Sequence, residues 1–116
     1  MHELSLAEGI IEITEKTARK HNIAAVSCVR VSIGELAGVD PDALLFAWTS
    51  VTRNGIAKHS KLVIERTPGT AWCMDCSKTI PLAAYGNPCP DCGGYQLVAN
   101  GGTEMRVIDI IPAKTE

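Results

Sequence analysis

Residues 73–94 read CMDCSKTIPLAAYGNPCPDCGG, and the reading of this stretch decides how the rest of the chain must be built. It holds two CxxC pairs, Cys73/Cys76 and Cys89/Cys92, with twelve residues between them. Two such knuckles can bring four thiolates to the corners of a tetrahedron, the arrangement of a structural zinc site. Gly93-Gly94 follows the second pair, where the backbone has to turn tightly beneath a metal. No histidine lies within 70–102, so the spacing predicts a closed four-cysteine centre. Iron in a rubredoxin-like site uses the same ligands, and ligand type alone does not separate the two metals. Trp72-Cys73-x-x-Cys76 also has the outline of a thioredoxin-type pair, but that chemistry needs no second CxxC.

The composition changes abruptly at the borders of this segment. Residues 70–102 carry all four paired cysteines, three prolines and five of the ten glycines, which predicts a turn-rich module with little core of its own. Its one cation is Lys78, set against Asp75 and Asp91, whereas phosphate binding needs a surplus of Lys and Arg. The whole chain agrees, with Lys+Arg 11 against Asp+Glu 13 and a net charge of −2. That balance excludes a basic nucleic-acid binder.

Outward from the module, KLVIERT (61–67) and EMRVIDII (104–111) have strand character, so the module is predicted as an insertion between two strands of one sheet. AVSCVRVSI (25–33) alternates as a third strand, with Val29, Val31 and Ile33 on one face. Leu4, Ala7, Ile10, Ile11, Thr14 and Ala18 recur at helical spacing, and Ser5 with Glu8 matches a capping box. A first helix is therefore expected from about Leu6 to Lys20, behind a short Met1-His2-Glu3 stub. Asp40 before Pro41 marks the start of a second helix, and Asn54-Gly55 marks its end. The fold class is α+β: a small mixed three-stranded sheet with two helices, plus an inserted four-cysteine ribbon. Residues 1–69 and 103–116 form the discontinuous α/β domain, and 70–102 the ribbon.

Hydrophobic residues are 46% of the chain and charged residues 21%, the balance of a globular protein with 116 residues in one compact fold. No apolar run approaches the ~20 residues of a membrane span, and the acidic start does not resemble a secretory signal. The expected location is the cytoplasm, where paired cysteines indicate metal or redox chemistry rather than disulfides. Cys28, the fifth cysteine, is read as a small buried hydrophobe, and His21 and His59 as surface histidines.

The stub has chemistry of its own. The Met1 amine, backbone amide nitrogens, the His2 ring and the Glu3 carboxylate offer several N and O donors within one tripeptide. Such donors suit square-planar or tetragonal Ni(II) or Cu(II). Taken alone, a terminal histidine is more often a solvated side chain than a ligand.

MHELSLAEGIIEI, VRVSIGELAGVDPDAL and CMDC…CPDCGG, taken together and in this order, resemble the HypA/HybF family of hydrogenase nickel-incorporation proteins over essentially the whole chain. The resemblance implies a small nickel metallochaperone with two metal sites and no enzymatic activity. His2 matches the family's nickel ligand and Glu3 its supporting neighbour, while Cys73, Cys76, Cys89 and Cys92 match the zinc ligands. Asp40 falls in a motif near the nickel site. The implied cargo is Ni(II), with Zn(II) structural. The implied partners are a maturation GTPase and the large subunit of [NiFe]-hydrogenase or its maturation complex, with urease a client in some members. Short connections around the ribbon would also permit strand exchange in a homodimer.

Overall fold

A computed structural model describes residues 2–114. In chain order it contains α1 (Glu3–Lys20), β1 (Val26–Gly34), a 3₁₀ turn (Glu35–Ala37), α2 (Pro41–Val51), β2 (Lys61–Thr67), β3 (Thr70–Cys73), β4 (Lys78–Pro81), β5 (Leu97–Gly101) and β6 (Met105–Pro112). The strands form two three-stranded sheets, ordered β2-β1-β6 and β4-β3-β5. The cysteine segment thus lies in sequence between two strands of the first sheet.

The chain divides into two compact units. The first, made of residues 1–31, 40–64 and 107–116, carries both helices. Ala7, Ile10, Thr14 and Ala18 are the buried face of α1, and the Thr14 hydroxyl donates to the Ile10 carbonyl at 2.8 Å. Leu44, Ala47 and Trp48 are the buried face of α2, which packs on α1. Val29 and Val31 of β1 are fully buried, as the alternation predicted.

Both helices are closed by identifiable caps. At the end of α1, Asn22 takes a left-handed φ of 58°. Ile23 N–H then bonds the Ala18 carbonyl at 2.8 Å and Asn22 N–H the Arg19 carbonyl at 3.3 Å, a Schellman motif. The Asp40 carboxylate begins α2, accepting from Asp42 N–H at 3.0 Å and Ala43 N–H at 3.3 Å. That helix ends at Val51, ahead of Asn54-Gly55, and both the Thr52 N–H (3.1 Å) and the Thr52 hydroxyl (2.6 Å) bond the Trp48 carbonyl.

The start of α1 corrects the sequence reading. Ser5 does not cap the helix; the chain is helical from Glu3, and Leu6 N–H bonds the His2 carbonyl at 2.8 Å. Nothing in Glu3-Leu4-Ser5 opposes helix, and an acidic residue in the first turn suits the positive end of the dipole.

The second unit comprises 32–39 and 65–106, larger than the 70–102 cysteine segment. It also corrects the expectation of little core. Leu36, Ala71, Ile80 and Leu82 pack with Cys73 and Cys89 into a buried cluster, flanked by Leu97 and Ala99. Leu36 comes from the 3₁₀ turn, outside the cysteine segment. It is held by Leu36 N–H to the Gly102 carbonyl at 2.8 Å and by the Glu35 carboxylate, which accepts Gly69 N–H at 2.7 Å. This crossing brings backbones so close that a Cβ at Gly34 would sit 2.0 Å from the Gly102 carbonyl oxygen.

Candidate metal centre

The antiparallel pair β3–β4, with Cys73 opposite Lys78, places the first knuckle at a hairpin end. β5 pairs with the other edge of β3, with Leu97 opposite Cys73. The two knuckles then repeat one hydrogen-bonding pattern. In each, the residue after the second cysteine is left-handed, Ser77 at φ 54° and Gly93 at φ 75°. Its N–H bonds the carbonyl of the first cysteine at 2.8 Å, Ser77 to Cys73 and Gly93 to Cys89. A CxxC loop wound this way turns both of its thiols to one side.

The four sulfurs converge, all within 4.8 Å of one another. Cys73 Sγ lies 3.7 Å from Cys92 Sγ, and Cys76 Sγ lies 4.0 Å from Cys89 Sγ. Cys76 N–H and Gly94 N–H point at Cys73 Sγ and Cys92 Sγ, each at 3.4 Å, as donors to thiolate. Donation from the Cys92 backbone N–H, against the effect of burial, lowers Cys89 to about 7. Cys76 is driven up to about 12, by its hydrogen bonding to Cys92 and by burial. One thiol of the group ionises readily and another resists, because negative charges would accumulate in one small space. A divalent cation removes that conflict, and four convergent sulfurs with no carboxylate or imidazole among them fit zinc. A lone redox dithiol does not describe this geometry.

Around the centre, Lys78 Nζ meets Asp91 Oδ2 at 2.6 Å, so the one cation of the module is already paired.

The amino-terminal residues occupy a different setting. His2 is exposed and stands at the N-cap of α1 with φ −83° and ψ 0°. The Met1 amine lies outside the described residues. Glu3 Oε2 accepts the backbone N–H of Asp40 at 3.2 Å, and this bond is the main cause that lowers the Glu3 carboxyl to about 2. The start of α1 is thereby fastened to the cap of α2. Two positive helix ends meet there, with the carboxylates of Glu3 and Asp40 set between them.

Sequence reasoning placed Asp40 near the amino-terminal site but missed its backbone link to Glu3, since the separation of 37 residues leaves no local signal. His21 and His59 are exposed, as expected, and Cys28 is half-buried on β1 rather than fully enclosed. Among the described residues no helix is long and apolar enough to cross a membrane.

Two helices, two small sheets and four clustered thiols define a small α+β protein with a candidate metal-binding centre. The family model described as hydrogenase/urease nickel incorporation, metallochaperone, HypA matches residues 1–111. The chain belongs to that family. It is 50% identical over 110 residues to hydrogenase maturation factor HypA of Albidiferax ferrireducens, covering 95% of this chain and 97% of the relative. Over the same shares it is 51% identical to hydrogenase maturation factor HypA 2 of Bradyrhizobium diazoefficiens. The solution structure of the Ni metallochaperone HypA from Helicobacter pylori matches with a TM-score of 0.66 and 25% identity, over 97% of both chains.

Proposed function

We propose that this chain captures Ni(II) at its amino terminus and delivers it to [NiFe]-hydrogenase during maturation, with Zn(II) held structurally by Cys73, Cys76, Cys89 and Cys92. The first unit handles nickel and the second handles zinc. The observation that carries the nickel reading is the Glu3–Asp40 bond. It holds the residue next to His2 as a fixed carboxylate, while the His2 ring stays exposed at the very start of α1.

The donor chemistry supports the division of labour. His2, Glu3 and the Met1 amine offer nitrogen and oxygen donors suited to Ni(II), and the ribbon offers only sulfur. An amide nitrogen at the start of α1 becomes a nickel donor on losing its proton, and the first N–H groups of a helix are not needed for its hydrogen-bond ladder. A carrier has to release its metal, and an exposed terminal site suits release better than a closed cage. The chain works by binding and transfer rather than as an enzyme. Its partners in this reading are a maturation GTPase and the hydrogenase large subunit in its maturation complex, in the cytoplasm, with urease a further client.

Nickel titration calorimetry on zinc-loaded protein with its native amino terminus, beside His2→Ala, tests the reading. One nickel site present in the first protein and lost in the second is expected. Equal binding by both would move nickel away from the terminus.

A further inference from the structure

A second feature of the helical unit shares no residue with the four-cysteine cluster or with the amino-terminal residues. The loop between α2 and β2 closes over a cleft of about 360 Å³ whose walls include Arg53, Lys58, His59 and Ser60. We propose that this cleft is an oxyanion site that takes a phosphate group.

The loop is a fixed frame rather than a loose connection. Ala57 at its centre is fully buried, and Val26 N–H of β1 bonds the Ile56 carbonyl at 2.8 Å. Two further backbone bonds, Lys58 N–H to the Gly55 carbonyl at 3.2 Å and Ser60 N–H to the Ala57 carbonyl at 2.9 Å, wind it tightly. His59 is held at a left-handed φ of 68°, a conformation that costs energy for a side chain of this kind.

The charged side chains of the cleft are uncommitted. Among the described residues Arg53, Lys58 and His59 form no ion pair. No acidic side chain lines the cleft. The Thr49 and Thr52 hydroxyls donate their protons to the Phe46 and Trp48 carbonyls, at 2.6 Å each. Trp48 Nε1 donates to Ser60 Oγ at 3.1 Å, which leaves the serine proton for another acceptor. Arg53, Lys58, His59 and Ser60, which carry guanidinium, ammonium, imidazole and hydroxyl groups, therefore line one cleft in a protein whose net charge is −2. A phosphate group, with three oxygens to share among these donors, fits the set better than a two-oxygen carboxylate.

The two tryptophans make the test direct. Trp48 Nε1 touches the cleft through Ser60, whereas Trp72 stands on β3 in the other unit. Zinc-loaded protein is titrated with inorganic phosphate at constant ionic strength, and both indole N–H signals are followed by NMR. The expected result is a saturable shift of the Trp48 signal with Trp72 unmoved. Affinity should fall about tenfold or more in Arg53→Gln and in Lys58→Gln, which sit on the surface and should melt as the parent does. A Trp48 signal that does not saturate, or equal affinity in both variants and the parent, overturns the site. Acetate binding as tightly as phosphate overturns the assignment to phosphate.

Discussion

Glu3 and Asp40 are joined through the backbone: the Glu3 carboxylate accepts the Asp40 N–H at 3.2 Å, while the Asp40 carboxylate caps α2. The first turn of one helix and the first turn of the other are thus set by two adjoining carboxylates. Glu3→Ala removes both the charge and the tether, and is expected to weaken nickel binding by about 10- to 100-fold. Glu3→Gln keeps an oxygen for the Asp40 N–H and should fall between that variant and the parent. Calorimetric affinities equal across the three proteins would remove Glu3 from the nickel site.

Asp40→Ala should destabilise the helical unit by about 1 kcal/mol, the usual loss for an N-cap acid, because Asp42 and Ala43 N–H lose their acceptor. Asp40→Asn should recover most of it. Denaturant midpoints measure the loss. A nickel affinity that falls in Asp40→Ala and returns in Asp40→Asn would mean that Asp40 acts by shaping the junction and not by its charge.

On the proposed zinc assignment, chelation should collapse the ribbon, because Cys73 and Cys89 are core residues as well as members of the four-thiol cluster. NMR signals from β3, β4 and β5 should lose dispersion while those of α1 and α2 persist. Zinc loading displaces thiol protons, so the affinity should rise steeply with pH. Cys73→Ser that kept full zinc occupancy would contradict the four-cysteine assignment.

Glu104 supplies the pH dependence of the second unit. Its carboxylate accepts hydrogen bonds from the Thr67 and Ser32 hydroxyls, which hold its pKa below the ordinary carboxylate value. A depressed native pKa contributes stability above the unfolded-state value and loses it as pH falls through the native value. The parent should therefore lose more stability than Glu104→Gln between neutral pH and about pH 3. Parallel urea denaturation series at the two pH values would show it, and equal losses would contradict it.

Gly34→Ala should destabilise the second unit by about 3 kcal/mol, since its Cβ would meet the Gly102 carbonyl oxygen at 2.0 Å and backbone has to move. Gly38→Ala is the contrast for steric overlap: its φ of 74° strains any side chain, but a Cβ there meets nothing within 4 Å. Thermal melting separates the two.

Much of this was readable from local pattern. The cysteine spacing, the Asp40-Pro41 start of α2, and the alternation around Val29 and Val31 are short-range signals, and each holds. What was not readable depends on distant pairs. Ser5 and Glu8 matched a capping box, but helix propagates past them to Glu3, whose partner Asp40 lies 37 positions away. The ribbon looked too rich in turns to have much core of its own, because Leu36 is contributed from outside it. Gly34 carried a signal, a glycine closing a β-branched strand, but its reason is the Gly102 backbone, which the strand itself does not reveal.

Leu36 also bears on how the ribbon can come into being. During synthesis it leaves the ribosome before any of the four cysteines, as part of a turn that has nothing yet to cover. The later hairpins close on a plug already delivered. A transplanted 70–102 segment would carry every metal ligand and arrive without that plug, so the ribbon cannot be moved as a cassette unless the GELAG turn travels with it.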